Sequence, residues 1–119
     1  MHELSLAQNV LEIVQQYLPA DNAHAVRCVR MKVGELSGVV IDSLDFCFNA
    51  LASGTPLQGV RLEIEQIPLR ARCRKCSNVF RIENTLFRCV ACGSTDLEIL
   101  SGRELQVTEI ELDDGGGNP

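Results

Sequence analysis

The stretch Cys73–Gly93, CRKCSNVFRIENTLFRCVACG, decides the architecture. It holds two Cys-x-x-Cys pairs, Cys73 with Cys76 and Cys89 with Cys92, separated by twelve residues. Each pair can aim two sulfurs at one metal from a tight knuckle. Two knuckles supply four thiolates, the donor set of tetrahedral Zn²⁺ at a Zn–S distance of about 2.3 Å. Four protein ligands leave no coordination position open, so such an ion is structural rather than catalytic. Gly93, just after the second knuckle, suits the tight turn there. Iron in a rubredoxin-like site could use the same four sulfurs. A redox Cys-x-x-Cys fits less well, because one pair would suffice and a βαβ context is missing. The segment has few large apolar residues, namely Phe80, Ile82, Leu86 and Phe87. Metal must therefore supply much of its folding energy.

Outward from the cysteines, the composition changes at Pro68. Residues 70–88 hold six of the chain's eleven basic residues and one acid, Glu83. The rest of the chain is acidic, and the formal charge of the whole is −5. Upstream, Leu4, Ala7, Leu11, Val14 and Leu18 recur at helical spacing, and Pro19 ends the run, which predicts a helix over 4–18. Val29, Met31 and Val33 alternate with Arg30 and Lys32, a strand within 25–33. A second helix carries Ile41, Leu44, Cys47, Phe48 and Leu51, with Asp42 as the expected N-cap and Gly54 and Pro56 as stops. Val60, Leu62 and Ile64 alternate with charged residues as a half-buried strand. A last strand runs through Leu105, Val107, Ile110 and Leu112, its alternation slipping near Thr108.

The order helix–strand–helix–strand–ribbon–strand predicts an α+β fold: a small mixed sheet with two helices on one face, and an inserted zinc-ribbon module. The expected domains are 1–68 plus 102–112, the ribbon at 69–101, and a flexible tail at 113–119 that is acidic and glycine-rich. No apolar run approaches about 18 residues, so no membrane span is expected. The amino-terminal segment lacks the pattern of a signal peptide, which points to a cytoplasmic protein with reduced thiols. Cys28 and Cys47 then read as free, buried thiols. No nucleophile with His and Asp partners, no paired acid and base and no open metal site is legible, so an enzyme is not expected.

The chain begins Met1-His2-Glu3. The α-amine, the intervening amide nitrogen and the His2 imidazole can chelate one ion through five- and six-membered rings. In-plane nitrogen ligands suit Ni²⁺ or Cu²⁺. The residues alone equally allow an incidental exposed histidine. The start Met1-His2-Glu3-Leu4-Ser5, the segment Val33-Gly34-Glu35-Leu36-Ser37-Gly38-Val39 and the late cysteine ribbon together resemble the HypA/HybF family of hydrogenase nickel-incorporation metallochaperones. The likeness runs from Met1 to about Leu112.

That resemblance implies a nickel metallochaperone. Ni(II) would be transient cargo, held by Met1, His2 and nearby backbone nitrogens with Glu3 supporting, and Zn(II) a structural cofactor at Cys73, Cys76, Cys89 and Cys92. It implies delivery to the large subunit of a [NiFe]-hydrogenase with an accessory nickel GTPase as partner, and in some members service to urease maturation proteins as well. Some members recruit a histidine near the ribbon, and this chain has none there. Some carry an acid near the start of the second helix, where Val40 and Ile41 stand here and Asp42 is a loose substitute. His24 reads as an ordinary surface residue. The alternative is a nucleic-acid-binding zinc ribbon, with Arg70, Arg72, Arg74, Lys75, Arg81 and Arg88 on phosphates and Phe80 and Phe87 stacking bases. The acidic remainder argues for a solvated basic face and no nucleic-acid partner. A third reading is a zinc-dependent interaction module without nickel.

Overall fold

The computed structural model describes residues 2–17 and 26–112. Met1, Leu18, Pro19, His24 and the tail at 113–119 lie outside them. Helix α1 spans Glu3–Tyr17, strand β1 Val26–Gly34, a 3-10 turn Glu35–Ser37 and helix α2 Ile41–Ala52. Strands follow at β2 Arg61–Ile67, β3 Arg70–Cys73, β4 Val79–Arg81, β5 Leu97–Ser101 and β6 Leu105–Leu112. They form two three-stranded sheets, ordered β2-β1-β6 and β4-β3-β5. The class is α+β, as the alternation of helical and strand periods requires. No described helix is long and apolar enough to cross a membrane.

The described residues divide into two compact units, one of 26–32 and 39–65 with 2–17 and 106–112, the other of 33–38 and 66–105. In the first, α1 and α2 pack on each other. Their buried residues are Leu6, Ala7, Val10 and Val14 on α1 and Leu44, Phe48 and Ala52 on α2. This shifts the stripe expected on α1. Leu4 is half-exposed and Leu11 only partly covered, whereas Leu6 and Val10 take the core positions. Two apolar sets at helical spacing overlap in this helix, and the partner helix selects one. On the exposed side of β1, Arg30 donates to Glu63, Glu109 and Glu111 at 2.9, 3.0 and 2.6 Å. Cys28 is fully buried, and burial first, then Glu63, pushes its thiol above the ordinary range. It is the free, buried thiol that the sequence suggests. Cys47 is partly covered.

Helix α2 starts two residues earlier than the expected N-cap, Asp42, implies. Its N-cap is Val40, which has no side chain able to cap, and Asp42 lies inside the first turn. There Asp42 still suits the positive end of the helix dipole.

In the second unit, β3 pairs antiparallel with β4 (Ala71 opposite Phe80) and with β5 (Ala71 opposite Ile99). One face of this sheet buries Ala71, Cys73 and Phe80, joined by Leu69, Ile82 and Cys89, with Leu97 and Ile99 packed against them. Leu86 and Phe87, counted with the ribbon's apolar set, are exposed. The other sheet face carries Arg72, paired with Glu98 at 3.2 Å.

Candidate metal centre

The two knuckles have the same backbone wiring. In the first, the Ser77 N–H donates to the Cys73 carbonyl at 2.9 Å, and the Cys73 N–H donates to Asn78 at 2.9 Å. In the second, Gly93 donates to Cys89 at 2.9 Å, and Cys89 donates to Ser94 at 2.8 Å. Closing either turn needs a left-handed residue after the second cysteine. Gly93 supplies φ 78° at no steric cost. Ser77 does the same work at φ 66° without that freedom. Sequence reading assigned this turn role only at Gly93.

The knuckles bring all four sulfurs within 4.8 Å of one another. The Cys73–Cys92 and Cys76–Cys89 Sγ separations are 3.6 and 3.5 Å. A regular tetrahedron with Zn–S of about 2.3 Å has edges of about 3.8 Å. The sulfur set therefore fits one four-coordinate ion with little adjustment. Cys73 and Cys89 are buried in the ribbon core, and Cys76 and Cys92 are exposed. The candidate site thus ties the small core to the two turns.

Backbone amides prepare half of the charge. The Cys76 N–H at 3.5 Å and the Lys75 N–H at 3.4 Å point at the Cys73 sulfur and hold its thiol below the ordinary range. At Cys89 burial opposes ionisation, but the N–H groups of Cys92 and Ala91 outweigh it and bring the thiol down to about 6. Their facing partners go the other way. The Asn78 N–H favours the Cys76 thiolate, yet Cys89 and burial push it up to about 12. Ser94 plays the same part at Cys92, which Cys73 and burial raise. So in each close pair the thiolate is favoured at one sulfur and the proton is held more tightly at the other. A dication that displaces the thiol protons completes a four-thiolate shell, which is the chemistry of a zinc site.

The loop after β1 belongs to this unit. The Gly34 N–H donates to Glu104 at 2.6 Å and the Leu36 N–H to Gly102 at 2.8 Å. The Glu35 carboxylate accepts the Leu69 N–H at 2.7 Å and the Arg81 guanidinium. Arg81 first, then the Leu69 N–H, hold the Glu35 carboxyl below its usual range. Sequence reading left Glu35 without a role. The available signal was a lone acid in a short loop, facing a segment rich in arginine.

Ion pairs also account for much of the ribbon's positive charge. Arg72, Arg74 and Arg81 are paired with Glu98, Asp96 and Glu35.

At the other expected site, His2 is exposed just ahead of α1, and its carbonyl accepts the Leu6 N–H at 3.0 Å. Its backbone is thereby committed to the first helical turn while the imidazole faces solvent. Glu3 Oε2 accepts the Val40 N–H at 3.0 Å. That bond, then Glu3's own N–H, hold its carboxyl below the ordinary range. Met1, the remaining expected nickel ligand, lies outside the described residues.

The family model for hydrogenase/urease nickel incorporation, the metallochaperone HypA, matches residues 1–112. The chain belongs to the HypA family. This is a metallochaperone family of hydrogenase maturation, not a family of catalytic enzymes. Among curated relatives, the hydrogenase maturation factor HypA of Streptomyces avermitilis is 44% identical over 117 residues, covering 97% of this chain and 89% of that one. The factor of the same name from Geobacter sulfurreducens is 38% identical over 113 residues, covering 95% and 100%. The solution structure of the Ni metallochaperone HypA from Helicobacter pylori shares the fold, with a TM-score of 0.62, 22% identity, and 95% and 98% coverage. A second HypA solution structure gives a TM-score of 0.65 over 94% and 96%. The match to the HypA family spans both units of the chain, the ribbon included.

Proposed function

We propose that this HypA-family chain binds Ni(II) at its amino terminus and delivers it during maturation of a [NiFe]-hydrogenase. The Met1 amine, the His2 imidazole and the amide nitrogen between them hold the ion, and Glu3 supports the site. Cys73, Cys76, Cys89 and Cys92 hold one structural Zn(II). The observation that carries the reading is the exposed imidazole of His2 at the head of α1, in a chain whose family match begins at residue 1. Residues 1–68 with 102–112 form the nickel-carrying part and 69–101 the zinc part. The partners are an accessory nickel GTPase and the hydrogenase large subunit, met in the cytoplasm, with urease maturation proteins as a further route. The ribbon's paired arginines leave the nucleic-acid alternative without a specific observation in its favour.

Calorimetric nickel titration of untagged protein tests the reading. One residue added before Met1 turns the α-amine into an amide and moves His2 out of the chelate. Nickel binding should be lost, while one zinc per chain remains. Equal nickel binding with and without the added residue refutes the terminal site.

A further inference from the structure

Helix α2 begins with an unmet need. The first N–H groups of any helix lack intrahelical partners, and a side chain at the N-cap normally answers one of them. Val40 occupies the N-cap here, in extended conformation with φ −85° and no side-chain cap. The acceptor comes instead from a different helix. Glu3, in the first turn of α1, places Oε2 3.0 Å from the Val40 N–H, across 37 residues of sequence. The heads of the two helices are thereby joined by one charge-assisted bond. The same carboxylate lies near the positive end of α2 and within the first turn of α1, where negative charge is favoured in both cases.

His2 is the residue immediately before this bond. Its carbonyl is held by the Leu6 N–H at 3.0 Å, so its backbone follows the first turn of α1. Whatever fixes that turn fixes the point from which the imidazole projects. The two helices are packed along their buried faces, where Leu6, Ala7 and Val10 of α1 and Leu44 and Phe48 of α2 are all in the core. Beyond that packing, at the exposed ends, the Glu3–Val40 bond ties the first residue of α1 to α2.

From this geometry we propose that Glu3 is a positioning residue rather than a nickel ligand, anchoring the amino-terminal turn to the head of α2 through the Val40 N–H. The proposal rests on the terminal nickel reading and divides its labour. Met1 and His2 supply the donor atoms. Glu3 sets where the His2 imidazole stands. Outer partners that orient metal ligands are typically worth on the order of 10- to 100-fold in affinity.

The test separates anchor from ligand with three variants of the untagged full chain, titrated with nickel alone well below the melting temperature. Glu3→Gln keeps a carbonyl oxygen able to accept the Val40 N–H, and should bind nickel within a few-fold of wild type. Glu3→Ala removes the acceptor and should bind on the order of 10- to 100-fold more weakly. The visible absorption bands of its bound nickel should stay where they are in wild type, because the donor set is unchanged. Val40→Pro removes the donor and leaves Glu3 in place, at a φ close to the proline range, and should weaken binding as Glu3→Ala does. If Glu3 is a ligand, Glu3→Gln falls together with Glu3→Ala, the bands shift, and Val40→Pro binds like wild type. That pattern overturns the proposal. Should Val40→Pro fail to fold, the Gln and Ala pair and the band positions decide alone. His2→Ala is the separate control. Undiminished binding there refutes the nickel reading itself, whatever Glu3 does.

Discussion

Replacing Gly34 with Ala should be among the most damaging single-methyl changes in the chain. The reason is space and not backbone conformation. Gly34 has φ −77° and ψ 149°, ordinary extended values open to any residue. A Cβ built there would lie 2.0 Å from the Gly102 oxygen, 2.1 Å from the Gly102 carbonyl carbon and 2.7 Å from the Arg103 nitrogen. All three are backbone atoms, so no side chain can swing aside. The loop must instead lift off residues 102–104. That movement breaks the bonds from Gly34 to Glu104 at 2.6 Å and from Leu36 to Gly102 at 2.8 Å. Two backbone bonds at about 1 kcal/mol each, with about 1–3 kcal/mol of overpacking, put the loss at about 3–5 kcal/mol. At this chain length that corresponds to a fall in melting temperature on the order of 10 °C. Calorimetric melting of zinc-loaded protein, with zinc content checked first, measures it. Gly38→Ala is the comparison. Gly38 has φ 73° and nothing within 4 Å of its built Cβ, so its cost is conformational only, about 1 kcal/mol. If Gly34→Ala melts as high as wild type, or if Gly38→Ala is the worse of the two, the close-approach reasoning is wrong.

Cys73→Ala should release zinc and unfold the ribbon locally, while the helical circular dichroism from α1 and α2 persists; full zinc occupancy by elemental analysis would refute the four-thiolate assignment. Thr85→Gly should stabilise the protein by about 0.5–1 kcal/mol, because this β-branched residue sits at φ 56° in the turn closed by Leu86 N–H to Glu83, and glycine removes the strain at some entropic cost. A lower melting temperature for Thr85→Gly would count against strain at that turn. Glu35→Gln should destabilise the protein at neutral pH and matter less in acid. The folded Glu35 carboxyl titrates below its ordinary value near 4.5, so its contribution is complete above that value and is lost as pH falls through the lowered one. A melting gap between wild type and Glu35→Gln that stays constant from neutral pH to below 4 would contradict this.

How much of this was legible depended on whether the information was local. The cysteine spacing encodes the knuckles within four residues each, so the four-sulfur cluster could be read from the sequence. The existence of α1 and α2 was equally local, through apolar period and the Pro and Gly stops. What needed a distant partner was not legible. The buried stripe of α1 at Leu6 and Val10 is chosen by α2. Asp42 is not the N-cap of α2, and the N–H of the residue that is, Val40, finds its acceptor in Glu3. Glu35 gains its role only when Leu69 and Arg81 arrive beside it. Gly34 reads as a loop glycine until Gly102 is seen against it. In each case the residue type was visible, and the contact that gives it meaning lay at least 34 residues away for all but the α1 stripe.

The proposed division between a retained ion and a delivered one follows from how many donors the folded chain has already committed. At the ribbon, four sulfurs converge within 4.8 Å, two of them buried and with ionisation favoured by backbone N–H groups. An ion leaving that site would abandon four converged sulfurs and loosen the turns that position them, so release is coupled to local unfolding. At the amino terminus the described part of the proposed site offers one exposed imidazole on one helical turn, braced by a carboxylate that already has a backbone partner. An ion leaving there exposes no core residue and breaks no turn. A receiving protein can therefore take the proposed nickel ligand by ligand while the fold stays intact, which a closed four-thiolate shell does not allow.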